Sequence, residues 1–137
     1  MEPLFRTVDC HSLPVDDLDA AIAFYGALGH EVIWRDASGA GLRLPDGDAE
    51  LVLHTDNRPI ETDFKVKSVQ ETIERFTQAG GTLIAGPFEI RIGQCAVLRD
   101  PWNNALVVLD ASYGLLETDA VGRVIGNQPP NKDVGSL

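Results

Sequence analysis

Three side chains in this sequence bring the chemistry of a small-molecule site: the thiol of Cys10, the imidazole of His54 and the carboxylate of Glu61. An imidazole titrates near neutrality and serves as a general acid or base, and a carboxylate does so when its surroundings raise its pKa. His54 and Glu61 are therefore the candidates for proton transfer. One thiol, one imidazole and one carboxylate together make an irregular three-donor set for a divalent metal. Each also has a plainer reading. His54 stands where an edge histidine would lie beside the linker 55–60. Lys65, on the strand face of Glu61, favours the ionised carboxylate, and Cys10 without a basic neighbour is an inert thiol.

Other residues add possible contacts. Trp34 and Trp102 can wall a cleft or stack on a planar or cationic ligand, although Trp102 sits in a turn. Arg35 and Arg91 are potential anion contacts. His11 reads as a hydrogen-bonded structural histidine on a helix-facing side, and His30, directly after a helix stop, as a surface residue. The sequence has no P-loop, no G-x-G-x-x-G, no C-x-x-C and no serine elbow, so phosphate cradles, dinucleotide sites and elbow nucleophiles have no foothold.

The elements that must position these groups come as a repeat. Residues 13–29 read as a strand end followed by a helix, with Leu18, Ile22 and Tyr25 at helical spacing, Asp16 or Asp17 as cap and Gly29 as a left-handed stop. Residues 64–80 have the same layout: Val69, Ile73 and Phe76 form the stripe, Ser68 and Glu71 make an S-x-x-E capping box, and Gly80 ends the helix. Val15 matches Val66, Leu18 Val69, Ile22 Ile73, Tyr25 Phe76 and Gly29 Gly80, at one constant offset of 51. Three strand-like runs follow each helix. In the first half they are 31–35, 40–44 and 50–55; in the second they are 82–85, 88–91 with an extension to 99, and 104–110. The plan is βαβββ twice, an α+β fold with modules at 6–55 and 61–113. An arm follows over 114–137, with a small hairpin about Val121 and Gly122 and a mobile tail from Asn127.

Strand alternation sorts the candidate residues by face. Phe64 and Val66 must meet the helix that follows them, which puts Glu61, Asp63 and Lys65 on the other side. The same parity turns His11, Leu13 and Val15 toward the first helix and Cys10 and Ser12 away from it. Leu51 and Leu53 pack inward and leave Glu50, Val52 and His54 on the opposite face. In the last strand Leu106 and Val108 pack inward and leave Val107 outward.

Composition narrows the partners. With 137 residues, 14.8 kDa and 44% hydrophobic residues, the chain can bury a core without disulfides, whereas one module of roughly 50 residues is too small to be stable alone. Eleven basic against 21 acidic residues give a formal charge of −10, which disfavours nucleic acid and anionic membrane surfaces and favours cationic ligands over anionic ones. There is no run of 18 apolar residues and no signal-peptide pattern, and Cys10 and Cys95 are the two cysteines. The expectation is a cytoplasmic protein with reduced thiols.

The strings VDCHSLPVDDLDAAIAFYGALGH and VLRDPWNNALVVLD, set in this repeat, resemble the vicinal oxygen chelate superfamily over residues 6–113. That superfamily includes glyoxalases, bleomycin- and fosfomycin-resistance proteins, methylmalonyl-CoA epimerases and extradiol dioxygenases. The resemblance implies tandem βαβββ modules that form a curved mixed sheet with a central cleft, and a homodimer. In metal-dependent members the ligands come from the first and fourth strands of each module, positions that fall here on Cys10, Val52, Glu61 and Val107. Two valines cannot ligate, so no cofactor is expected. A divalent metal through Cys10, His54 and Glu61 is the alternative. The resemblance thus implies a small-molecule-binding member that holds or sequesters an organic ligand, a cationic one being favoured by the charge. The ligand would meet Cys10, Ser12, Trp34, Glu50, Val52 and His54 on the first module, with Glu61, Asp63 and Val107 from the second. The rival readings are a metal-dependent lyase, isomerase or dioxygenase, and a regulatory dimer whose cleft is filled by its own side chains.

Overall fold

The structure is a computed structural model that describes residues 2–128. Its elements run β1 (Phe5–Pro14), α1 (Leu18–Ala27), β2 (Val32–Arg35), β3 (Gly39–Arg43) and β4 (Glu50–His54). They continue as β5 (Glu61–Val66), α2 (Val69–Gln78), β6 (Thr82–Ile90), β7 (Gly93–Arg99) and β8 (Ala105–Leu109). A hairpin of β9 (Leu116–Thr118) and β10 (Val124–Asn127) follows. The expected α+β plan of two βαβββ modules is present. The tail expected from Asn127 lies, from residue 129 on, outside the described residues.

Both helices begin and end as their sequences dictate. The Asp17 carboxylate accepts from the N–H of Ala20 at 3.1 Å and the Ser68 hydroxyl from the N–H of Glu71 at 3.2 Å, each closing the first turn three residues in. Gly29 and Gly80 take φ of 96° and 113°, a left-handed geometry that a side chain would oppose.

The chain divides into two compact units: Val8–Thr62 with Glu117–Gly126, and Asp63–Leu116 with the described parts of both chain ends. In the first, β4 lies between β3, antiparallel, and β1, parallel; β2 pairs the outer side of β3. Helix α1 covers one face of this sheet, where Leu18, Ala40, Leu42 and Leu53 are buried together with Leu13, Ile22 and Tyr25 packed against them. The β9–β10 hairpin, expected as part of a separate arm, belongs to this unit. The N–H of Arg35 donates to Gly122 O at 2.7 Å, and Asp119 holds the turn by accepting from the N–H groups of Val121 and Arg123. Those bonds, the one from Arg123 foremost, hold the Asp119 carboxyl below its usual pKa.

The second unit repeats the arrangement with β8 between β7 and β5, and β6 outside β7. Its core is Val66, Val69, Ala96, Leu98 and Val108, with Phe64, Ile73 and Phe76 against it. The strands expected at 82–85 and 88–99 are drawn differently. Thr82–Ile90 is one strand with register shifts between Leu83 and Ala85 and between Ala85 and Phe88, and Gly93–Arg99 is its neighbour. Gly86, at φ 95°, and Pro87, with no N–H for the ladder, are accommodated by those bulges instead of ending the strand.

Buried Asp110 organises the end of this module. One carboxylate oxygen accepts from the N–H of Val69 at 2.9 Å; the other accepts from the N–H groups of Gln94 and Ser112 and from the Ser112 hydroxyl. A Cβ at Gly93 would collide with that second oxygen, so glycine is required where strand and carboxylate meet. Among the described residues no helix is long and apolar enough to cross a membrane.

Candidate functional site

The candidate site lies in the first unit, on the sheet face turned away from α1. Register builds it. Parallel pairing sets Cys10 beside Glu50, Ser12 beside Val52 and Pro14 beside His54, and antiparallel pairing sets Gly41 beside Val52 and Gly39 beside His54. Leu51 and Leu53 point into the core under α1, so Glu50, Val52 and His54 share the opposite face with Cys10, Ser12, Gly39 and Gly41. The sequence-predicted residues Cys10, Ser12, Glu50, Val52 and His54 thus share this face.

Trp34 completes this face. It pairs with Gly41 across β2 and β3, and its indole N–H donates to Glu50 Oε1 at 2.6 Å. A Cβ on Gly41 would fall inside the indole and 2.6 Å from Glu50 Oε1. One on Gly39 would touch the far ring edge at 3.5 Å. The two glycines therefore make the bed on which the ring lies, and the Glu50 carboxylate fixes its orientation. These glycines escaped the sequence reading. The signal was the alternation Gly39-Ala40-Gly41 inside a strand, which marks a close approach to the backbone.

Burial divides the polar groups. Ser12 and Cys10 are buried, with Cys10 Sγ 3.8 Å from Ser12 Oγ. His54 is 2% exposed, and neither Nδ1 nor Nε2 has a hydrogen-bond partner. Leaving such a group unsatisfied costs about 1–3 kcal/mol, so native structures do it sparingly.

The other expected residues are placed as follows. Glu61, at the start of β5, receives a bond from Arg58 Nη1 at 3.2 Å, a linker arginine that sequence reading did not single out. Asp63 and Val107 belong to the second unit, where they are register partners. Arg35 is paired with Asp19, and Trp102 is 80% exposed in its turn. His11 is hydrogen-bonded as expected, its Nδ1 2.9 Å from Thr62 Oγ1. It is exposed, however, instead of packed under the helix, because the covered stretch of the strand starts at Leu13.

A glyoxalase-like domain family model matches residues 7–109. This chain belongs to that family. No curated protein matches it. Among solved structures, the glyoxalase-like chain is similar to methylmalonyl-CoA epimerase from Mycobacterium tuberculosis, with 18% identity, a TM-score of 0.65, and 80% of this chain and 91% of that one covered. It is also similar to a variant of the Streptomyces coelicolor methylmalonyl-CoA epimerase in complex with 2-nitronate-propionyl-CoA: 17% identity, TM-score 0.64, and 79% and 99% covered. A hypothetical protein from Bacillus halodurans C-125 matches at 18% identity and TM-score 0.63, with 76% and 93% covered. At these identities the likeness is one of fold, the glyoxalase/bleomycin-resistance architecture within the vicinal oxygen chelate superfamily.

The metal site implied by that superfamily does not fit the residues present. In the observed register Ser12, not Cys10, stands opposite Val52, and Asp63, not Glu61, stands opposite Val107, so each fourth-strand position offers a valine. The alternative set of Cys10, His54 and Glu61 is not gathered either. Among the described residues no three His, Cys, Asp or Glu side chains are placed to hold one ion.

Proposed function

We propose that this protein binds a small organic molecule on the helix-free face of its first module and does so without the metal usual for the fold. The carrying observation is His54, buried with both ring nitrogens unpartnered on the face where Trp34 is locked by Glu50. A fixed aromatic beside a few polar groups is a common makeup of small-molecule sites. The net charge of −10 attracts cations at long range. At the face itself Glu50 is engaged by Trp34, and Glu61 is paired with Arg58, so these carboxylates offer a cation less than the composition suggests. The reading includes a cytoplasmic homodimer, checked by light scattering on purified protein.

A thermal-shift screen of the whole chain against basic drugs and aromatic metabolites tests the proposal. A ligand at a hundredfold its Kd stabilises by about 2.7 kcal/mol, a shift of several degrees for a chain of this size. Elemental analysis of untagged protein accompanies it. Zinc, iron, nickel or manganese near one per chain defeats the metal-free reading and restores the lyase, isomerase or dioxygenase alternative. A flat screen defeats the binding reading.

A further inference from the structure

The binding reading leaves open what the face recognises, and His54 bears on that question. It projects from β4 beside Gly39, and Gly39 lies under the far edge of the Trp34 ring. His54 is thus the register neighbour of the residue under that ring edge, and because its nitrogens are buried, a ligand ring laid along Trp34 reaches the imidazole only as the side chains that cover it shift. At the Glu50 end the indole N–H is already satisfied, so that end offers the ligand apolar contact. At the His54 end both nitrogens are buried and unsatisfied. A neutral imidazole there presents one donor and one acceptor. A quaternary cation can use neither and would add charge to a desolvated place, whereas a hydroxyl or an amide carbonyl can bond to the ring without bringing a charge inside.

We infer that His54 is the specificity-determining residue of this site, selecting a planar ligand by an uncharged hydroxyl or carbonyl group over the same ring carrying a fixed cation. This inference rests on the binding reading above. It narrows the ligand from an organic molecule of either charge to a neutral, oxygen-bearing aromatic. Satisfying a previously unpartnered buried nitrogen is worth about tenfold in affinity.

The test uses the full chain carrying Trp102→Phe, a change at an exposed turn that leaves Trp34 as the only indole. Trp34 fluorescence is titrated with four probes of one ring size: phenol, benzamide, toluene and phenyltrimethylammonium. The expected result is saturable quenching by phenol and benzamide, at least about tenfold tighter than by toluene or phenyltrimethylammonium. Adding His54→Leu should erase that preference, bringing the four affinities within about threefold of one another, and His54→Gln, which keeps hydrogen-bonding capacity, should retain part of it. The inference is overturned if phenyltrimethylammonium matches benzamide, or if His54→Leu leaves the ratios as they were, which would mean that the imidazole is satisfied by internal water alone. The four-probe ratio on the His54-containing protein decides the matter even if His54→Leu fails to fold. If no probe binds while the broad screen finds a ligand of another class, this inference falls and the binding reading stands. If neither finds one, both fall.

Discussion

At matched positions of the two modules, register sets Trp34, Gly39, Gly41, Glu50, Val52 and His54 in the first against Ala85, Cys95, Val97, Ala105, Val107 and Leu109 in the second. The backbone pairing is the same: Gly39 faces His54 as Cys95 faces Leu109, and Gly41 faces Val52 as Val97 faces Val107. At these six positions the second module has no charged side chain, and its polar groups on this face, Asp63 and Lys65, come from β5 beside Val107 and Leu109. The first replaces two side chains with hydrogen, lays an indole in the space, anchors it with a carboxylate and leaves a histidine unsatisfied. The reverse holds one residue later. The Thr55 hydroxyl, after β4, donates to Ser38 O at 3.4 Å, whereas the Asp110 carboxylate, after β8, satisfies three backbone N–H groups and a hydroxyl. In the second module Asp110 is committed to holding structure; in the first, His54 keeps both ring nitrogens uncommitted, the condition of a group that awaits a partner.

The largest expected effect breaks the structural side of this contrast. Asp110→Ala strands the N–H groups of Val69, Gln94 and Ser112 and should cost about 3 kcal/mol or more in urea unfolding. A loss under about 1 kcal/mol would show that water replaces the carboxylate and that the second module has no such hub. Next is Gly41→Val, which gives the first module the residue of the second. The new side chain occupies the indole position, so Trp34 must leave its bed. Stability should fall by about 1–3 kcal/mol and Trp34 emission should shift to the red in the Trp102→Phe background. An unchanged spectrum would mean that the glycine bed does not hold the ring.

How much of this was legible beforehand follows from the range of the interactions. The repeat, both caps and both stops were, because a cap and its target lie three residues apart and the apolar stripe returns every turn. The face assignments were also legible, since alternation needs only the strand and its apolar side: Leu53 went in, and His54 and Val52 went out. What alternation does not carry is distance. That Trp34 reaches Glu50 across two strands, that Arg58 takes Glu61, and that Cys10, His54 and Glu61 fail to converge are facts of register and linker geometry. Asp110 was passed over because a carboxylate ending a strand reads as a turn residue until the N–H groups around it are seen.

The caps offer a medium-sized probe of the same contrast. Asp17→Ala should cost about 1 kcal/mol. Ser68→Ala should cost less, about 0.5 kcal/mol, because Asp110 still holds the first N–H of α2 when the hydroxyl is gone. Equal losses would argue against shared capping. His54→Leu, the exchange that makes the first module resemble the second at its most buried polar point, should leave unfolding stability unchanged or raise it by up to about 1 kcal/mol, since it removes unsatisfied nitrogens. A clear loss would show that the imidazole has a structural partner.

The smallest effect lies in the turn before β8, where Asp100 accepts from the Asn104 side chain and from the N–H groups of Asn104 and Trp102. Those bonds, the Asn104 side chain first, favour the ionised form and hold this carboxyl below its usual 3.8. The sign follows from linkage. A group whose folded pKa is depressed contributes its stability in full above the unfolded value and loses it as pH falls through the folded one, so the contribution is intact at neutrality and fades only below about pH 4. Asp100→Asn should therefore flatten the acid limb of the stability curve slightly and leave the ligand preference at His54 untouched, because the turn belongs to the module that lacks the Trp34 bed. Urea midpoints at pH 3 and pH 7 check it. If the variant loses as much at pH 3 as at pH 7, the carboxylate's charge is not what stabilises the turn.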